Sequence, residues 1–456
     1  MIYRPRMTAT LSVPLLGTRA QRLSQEKNSE VITLRLRPKR IRLEKNDHNH
    51  ADSISLSCDW YECGVDPRLL DDGVLTVYIG NADDDGVWNP GPKDVRFIGL
   101  VRDVDANRDS DAPADVTIEC VDYTSLFLDA NRFGSAGIPT YSQNLEEAWR
   151  TIVSQTPGAE VLADNLVFIG VQGVPKLGDA VSERFRALSS VPTKPDTDAW
   201  AVWQQCVGMC GLISHIDGDR VIVTTATNYY TEADPPSLVW GKNVLKWRES
   251  RNTGVVKKGV GLTSYDPISG TTIEAVFPPV GDERVRRKRV KAKKVQSAAT
   301  VRSNEQREWF VYPGVTQVEQ LERIAERVWE EMSRQELEGH ITTAEMWTNT
   351  LGGVQFDLLR LGAGVSVHIG VDGNDRQLLS SMPSDSARRE FLMQRGYTPD
   401  AANLIVSNVK GLSGLESKFF VKTVCITLEV DESGGQFTID VDYINRIQID
   451  GSATGT

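Results

Sequence analysis

Thr117-Ile-Glu-Cys-Val-Asp-Tyr123 and Thr438-Ile-Asp-Val-Asp-Tyr443 lie in the first and last thirds of the chain, yet share a β-type alternation and a closing Val-Asp-Tyr. Three further blocks correspond in the same order. Ile54 through Trp60 matches Ile341 through Trp347 in its first and last members. Leu75-Thr-Val-Tyr-Ile-Gly80 matches Val365-Ser-Val-His-Ile-Gly370, and Phe97-Ile-Gly-Leu-Val101 matches Phe420-Val-Lys-Thr-Val424. Ile54-Ser-Leu-Ser-Cys58, Leu75–Ile79 and Val365–Ile369 alternate as half-buried strands do. Alternation alone can imitate any one match, but four in one order are harder to reach by chance. The reading is a β-module present twice in one chain.

Working outward from these blocks, residues 1–30 are polar without sustained periodicity, which predicts an N-terminal arm. Residues 31–136 are expected to form a first β-barrel domain. Ile32-Thr-Leu-Arg-Leu36 alternates, and short strand patterns follow at Ile54–Leu56, Val74–Ile79, Val95–Val104 and Val116–Tyr123, with Asp-Asp-Gly and Asn/Pro/Gly punctuation between them. Residues 137–235 change texture and predict an inserted α/β domain. Leu145, Ala148, Trp149, Ile152 and Val153 share a helical face. A second helix is predicted over Asp198–Cys210, stopped by Gly211, and then a hairpin around Asp217-Gly218.

Residues 236–371 are expected to begin a second β-barrel domain with strands over Leu238–Phe277 and the longest helix, Gln317–Leu337. Thr316 and Glu319 give that helix a capping-box signature, and Val318, Leu321, Ile324, Ala325, Val328, Trp329 and Met332 give it an apolar stripe. Residues 372–416 read as a helical excursion with helices at Asp385–Arg395 and Pro399–Val409. Residues 417–450 close the second barrel through Phe419–Val430 and Phe437–Ile447, and residues 451–456 form a tail. The fold class expected is mainly β with α/β inserts: two related tube-like β-barrel domains, an inserted α/β domain and a smaller helical excursion.

A chain of 456 residues exceeds one compact core, and 40% apolar with 25% charged residues is ordinary for a folded soluble protein. Its net charge of −11 argues against a surface that grips nucleic acid throughout. No apolar run reaches the ~18 residues of a membrane-spanning helix, and Met1–Arg22 lacks the apolar stretch and cleavage site of a secretion signal. Six cysteines are too sparse for a disulfide framework, and Cys120, Cys206, Cys210 and Cys425 sit inside apolar runs as small hydrophobes do.

No Gly-x-Ser-x-Gly, Walker loop or Gly-x-Gly-x-x-Gly motif occurs. His48, His50, His215, His340 and His368 lack zinc-site spacing, and Cys58 and Cys63 have no second pair nearby. Asn81-Ala-Asp-Asp-Asp-Gly86 resembles the opening of a calcium loop, but Pro92 stands where its bidentate Glu belongs. Asp103, Asp105, Asn107, Asp109 and Asp111 read as a solvated hairpin end. Trp60, Trp149, Trp200, Trp203, Trp329 and Trp347 lie mostly on apolar faces and read as core. No catalytic, cofactor-binding or metal-binding residue is therefore expected, and no enzyme activity.

The basic run Arg284–Lys294 places eight Lys/Arg in an eleven-residue stretch. It fits a solvated loop, a dock for an acidic neighbouring subunit, or a surface facing DNA in a lumen by phosphate attraction. No aromatic residues interleave it, so base stacking is not supported.

Three segments carry a family resemblance: Trp200–Thr225, then Leu238-Val-Trp-Gly-Lys-Asn-Val-Leu245 continuing to Phe277, and the long helix with Gly339–Trp347 and Asp357–Val365. Together they resemble the late-control D group of phage tail baseplate hub proteins, and the N-terminal part of the VgrG spike proteins of contractile injection systems. The likeness spans Val31–Ile447 in pattern more than in fixed residues. It implies a homotrimer whose ring adapts a six-fold tail tube to a three-fold spike. Implied partners are tail tube or distal tail subunits, a separate spike protein, and baseplate wedge and tape-measure proteins, with non-specific DNA contact in the lumen and no membrane. The implied location is the virion tail baseplate, after assembly in the bacterial host cytoplasm. Two other readings stay open: a tail-associated wall-degrading hub enzyme, which needs paired carboxylates or a Cys/His pair in the insert, and a secreted VgrG-like spike component, which needs a needle beyond Ile447.

Overall fold

A computed structural model describes the chain except residues 1–4, 15–30, 61–69, 71–72, 83–86, 108–113, 131–137, 181–196, 231–236, 252–258, 267–270, 278–306, 312–314, 316–317, 334–336, 344–360, 370, 372, 408–414, 432–433 and 446–456. Seven strands come first: β1 (Pro5–Pro14), β2 (Val31–Leu36), β3 (Arg40–Lys45), β4 (Ser53–Asp59), β5 (Val74–Asn81), β6 (Val95–Asn107) and β7 (Asp115–Val121). They hydrogen-bond in the order β3-β4-β7-β6-β5-β1-β2. Strand β4 shows the alternation in pure form, with Ile54, Leu56 and Cys58 buried and the serines between them half-buried. The expected arm over residues 1–30 is corrected in part. Strand β1 is interior, antiparallel to both β2 and β5, with Ala9 and Leu11 fully buried. Met7, Ala9, Leu11 and Val13 alternate with Thr8, Thr10 and Ser12, the pattern of a half-buried strand, and this face packs on the common core.

The chain then leaves the sheet for a separate apolar cluster. It draws on α1 (Thr124–Asp129), α2 (Leu145–Val153), β8 (Leu166–Ile169), α3 (Ala199–Met209), β9 (Leu212–Asp217) and β10 (Arg220–Thr225), and the short α4 (Ala226–Tyr229) follows β10. Helix α2 begins with a reciprocal cap between Asn144 and Glu147, and Asp198 caps α3. Gly211 and Gly218, at φ of +73° and +63°, end α3 and turn the β9–β10 hairpin. Strand β8, which carries no clear alternation signal, lies parallel to β10.

The remaining elements are β11 (Ser237–Val239), β12 (Val244–Arg251), β13 (Gly259–Asp266), β14 (Thr271–Phe277), β15 (Arg307–Val311), α5 (Val318–Ser333), β16 (Leu337–Thr343), β17 (Gly364–Ile369), α6 (Gly373–Ser381), α7 (Asp385–Gln394), α8 (Pro399–Ser407), β18 (Leu415–Asp431) and β19 (Gly434–Asn445). Strands β12-β16-β19-β18-β17 repeat the order β3-β4-β7-β6-β5, antiparallel at every step in both. The four blocks matched in sequence fall on β4/β16, β5/β17, β6/β18 and β7/β19. Strands β13 and β14, expected in the second barrel, instead form a three-stranded sheet with β15. The reason is the stripe of α5: Leu321, Ile324 and Ala325 are buried against Val260, Leu262 and Ala275. Leu337, expected to end α5, opens β16. Helix α6 falls where the sequence pattern predicts no helix, and Thr316 of the expected capping box lies outside the described residues.

The two repeats join into one sheet of 13 strands with a common core. Strand β18 makes the join. Its first half, Leu415–Phe420, pairs with β17, and its second half, Val424–Glu429, pairs on the same side with β3. Leu428 and Ile41 face each other across this seam, both fully buried. Among the described residues the sheet is open, not two closed tubes: β12 and β2 stand at its ends.

The ladders also test the duplication residue by residue. Ile54 and Val101 both face Cys120, while Ile341 and Val424 both face Val441, so these three correspondences agree with one another. Cys120, not Val121, is thus the counterpart of Val441, and the shared Val-Asp-Tyr is one residue out of register. Strands β6 and β18 bulge at Arg102 and Lys422, and β6 skips a further residue, Arg96, opposite β5. The Lys422 bulge makes Phe419 the counterpart of Phe97, and Val365 the counterpart of Val77, one ladder step of two residues from the sequence match.

Candidate functional site

Alternation gives the repeated sheet one apolar face and one polar face, and the polar face of the second repeat carries a cross-strand side-chain network. Across β16 and β19, His340 stands opposite Asp442 and Thr342 opposite Asp440. The His340 Nδ1 lies 2.9 Å from Asp442 Oδ1 and its Nε2 3.4 Å from Asp440 Oδ1. Thr423 donates to Asp442 at 2.7 Å, and Lys422 pairs with Glu338 at 3.4 Å. Glu338, His340, Lys422, Thr423 and Asp442 line a shallow hollow with Arg248, Ser250 and Tyr443.

Thr342, His340 and Asp442 have the residue types of a hydrolase triad. The Thr342 hydroxyl gives its proton to Asp440 at 2.5 Å, and both imidazole nitrogens face carboxylates. The group lies on the open face of a sheet, with His340 44% exposed. The counterpart of Asp442 in the first repeat is Val121. What register brings together here is a set of cross-strand polar pairs, which stabilise a ladder.

A second cluster sits where the sheet meets the insert. The turn between β3 and β4 closes on itself: Asn46 donates its backbone N–H to Asp52 and its side chain to the Ala51 carbonyl. Its apex holds the insert, because the His48 carbonyl accepts from Trp200 Nε1 at 3.0 Å and from Gln204 Nε2 at 2.9 Å. Gln204 also reaches the Ser214 carbonyl, and Lys45 lies 3.9 Å from Asp217. Below the turn, Asp122 receives the Thr124 N–H and hydroxyl, and its own N–H donates to the Asp52 carbonyl. Burial, and for Asp122 the Asp52 carboxyl beside it, hold both carboxyls above the usual carboxylate range; Lys45 eases Asp52 down. Nothing in the sequence pattern marks these two aspartates, because burial of a strand end depends on what packs over it.

The residues singled out in the sequence are dispersed. His48 is buried at the turn with its ring edge-on to Tyr229, and His50 pairs with Asp47. His215 stacks edge-on against Tyr229 from another side. Cys58, Cys120 and Cys206 are buried, and desolvation pushes the Cys120 and Cys206 thiols up, which keeps them unreactive. Trp149, Trp200 and Trp203 are core of the insert, with Trp149 and Trp203 ring centres 4.8 Å apart. Glu147 serves the α2 cap, and Glu146 is exposed beside it. Asp103 and Asp105 are exposed on β6. Cys63, Asp83 to Gly86, Asp109, Asp111, Trp347 and the basic run Arg284–Lys294 lie outside the described residues. Among the described residues no three His, Cys, Asp or Glu side chains are grouped to hold a metal ion. No helix there is long and apolar enough to cross a membrane.

No family model matches the sequence, and no curated protein does. Solved structures do resemble it. A tail protein from Neisseria meningitidis MC58 superimposes with a TM-score of 0.55 at 10% identity, over 96% of this chain and 96% of that one. The 43 kDa tail protein of prophage MuSo2 from Shewanella oneidensis superimposes with a TM-score of 0.52 at 12% identity, over 96% of this chain and 98% of that one. A type VI secretion system component from E. coli is more distant, with a TM-score of 0.43 at 8% identity, over 91% of this chain and 74% of that one. At these identities the first two establish a shared fold that extends over nearly the whole chain.

Proposed function

We propose that this protein is a structural hub subunit of a phage-type tail, three copies of which form a ring between the six-fold tail tube and a three-fold spike. The observation that carries the reading is the repeated strand order β3-β4-β7-β6-β5 and β12-β16-β19-β18-β17 within one sheet. A triangle of chains that each hold the module twice presents six similar modules to a hexagonal neighbour, while keeping three-fold symmetry for the other. The fold shared with two tail proteins, one of them from a prophage, supports the same reading. The role is mechanical: the polar networks of the sheet serve register and hold the insert. Partners are the tail tube or distal tail subunits on one face and a separate spike polypeptide on the other, and the site of action is the virion tail baseplate.

The mass of the purified full-length chain tests this directly. Sedimentation and native mass spectrometry are expected to show trimers, alone or on addition of tail tube protein. Images of the particle are expected to show three copies around the tail axis. A chain that stays monomeric under both conditions, or a copy number in the particle that is not a multiple of three, refutes the proposal.

A further inference from the structure

We infer that copies of this chain join by antiparallel pairing of β12 in one copy with the second half of β6 in the next. This inference rests on the ring proposed above and names its interface. The template lies inside the chain. Strand β3 pairs with β4 on one side and with the second half of β18 on the other. The counterpart of β3 is β12, which pairs with β16 on one side and, apart from a single bridge between Val244 and Trp240, has no strand on its other side among the described residues. The counterpart of β18 is β6. Beyond Val101 its second half pairs with β7 alone among the described residues, and the N–H of Val104 is occupied by the Asp103 side chain. The repeat thus leaves two edges uncovered, and they are the two halves of a junction that the chain already makes once.

The internal junction also sets the register. It opposes Glu44 to Cys425, Leu43 to Ile426, Arg42 to Thr427 and Ile41 to Leu428. Carrying each residue to its counterpart through the ladders opposes Arg248 to Asp103, Trp247 to Val104, Lys246 to Asp105 and Val244 to Ala106. Both outward pairs join opposite charges. The inward pair corrects an anomaly of burial: Leu43 and Ile426 are 0% and 5% exposed, whereas Trp247 is 37% exposed and Val104 is only half-buried. An apolar residue uncovered at a sheet edge invites pairing with another chain. Here charge on both sides of it limits the partner to one edge of the same protein.

Charge reversal tests the pairing. Asp103→Lys with Asp105→Lys in one variant, and Lys246→Asp with Arg248→Asp in another, alter exposed side chains and leave the core untouched. Each is expected to weaken self-association by about tenfold or more, measured by sedimentation. An equimolar mixture of the two is expected to regain part of the association, because each contact between unlike variants is again oppositely charged and only one contact in three of a closed ring stays mismatched, while the four substitutions in one chain restore it fully. In a second test, Asp105→Cys chains mixed with Lys246→Cys chains under mild oxidation should give a disulfide-linked dimer that neither variant gives alone. A wild-type ring that is indifferent to both reversals, or a mixture that yields no dimer beyond the wild-type background, overturns this pairing and leaves the ring intact. A wild-type chain that never associates overturns the ring itself.

Discussion

Adding a single methyl group at Gly339 should destabilise the second repeat more than removing a hydroxyl from its partner. Gly339 faces Tyr443 across the β16–β19 ladder, and the ring lies over the glycine, where a Cβ would meet the Tyr443 Cζ, Oη and Cε2 atoms. Tyr443 is 1% exposed; its Oη accepts from Trp247 Nε1 at 2.9 Å and donates to Glu249 at 3.2 Å. In Gly339→Ala the ring must swing away. The two hydrogen bonds are worth about 1 kcal/mol each, and overpacking adds about 1–3 kcal/mol, so the expected loss is about 3–5 kcal/mol. Tyr443→Phe keeps the ring in place and loses only the hydroxyl, about 1–2 kcal/mol. Urea denaturation followed by tryptophan fluorescence measures both, and the double variant Gly339→Ala with Tyr443→Ala should cost less than the sum of its singles. A Gly339→Ala protein at least as stable as Tyr443→Phe refutes the packing argument. Because Tyr443 also orients Trp247, the same substitution should weaken self-association.

Leu428→Ala, at the seam opposite Ile41, should cost about 2–5 kcal/mol; hydrogen exchange should rise in β3 as well as β18, and a rise confined to β18 contradicts a shared core. The carboxyls of Asp52 and Asp122 are raised to about 6 and about 8, so the folded state holds protons that the unfolded chain has released. Stability should therefore fall as pH rises from the ordinary carboxylate value through these two, by up to about 1.36 kcal/mol per pH unit for each proton. Asp122→Asn should flatten that slope in thermal unfolding, and an unchanged slope excludes the pair as its source. Gln204→Ala removes the clamp between the His48 and Ser214 carbonyls and should make the insert separate first in limited proteolysis, with about 1–2 kcal/mol lost; an unaltered cleavage pattern counts against the clamp.

The repeat is legible in the sequence because alternation survives divergence: Ile54, Val101 and Ile118 keep their inward positions as Ile341, Val424 and Ile439. Its exact register is not. A bulge such as Lys422 adds a residue without changing composition, and only a ladder reveals it. Helices α2 and α3 are legible from their stripes and caps, since Trp149, Ile152, Trp203 and Val207 recur at helical spacing. Strand β1 is legible too, in the alternation of Met7, Ala9, Leu11 and Val13 with Thr8, Thr10 and Ser12, against the arm expected there, whereas β13 and β14 are misplaced because a strand pattern says nothing about which sheet receives it. The seam cluster around Asp52 and Asp122, and the polar ladder of His340, depend on neighbours far away in the chain, which local pattern does not encode.

The partner change along β18 bears on how the chain is made. Strand β3 leaves the ribosome long before the strand that covers its outer side. Until β18 follows, the N-terminal module holds an uncapped border studded with Arg40 and Arg42 and flanked by apolar Ile41 and Leu43. Contacts that span most of a chain form slowly, and a border left waiting is a place where nascent copies can adhere to one another. Lowering the growth temperature or slowing translation initiation should therefore raise the soluble yield more than any substitution in the C-terminal strands, since the delay belongs to the connection order and not to the stability of the finished sheet.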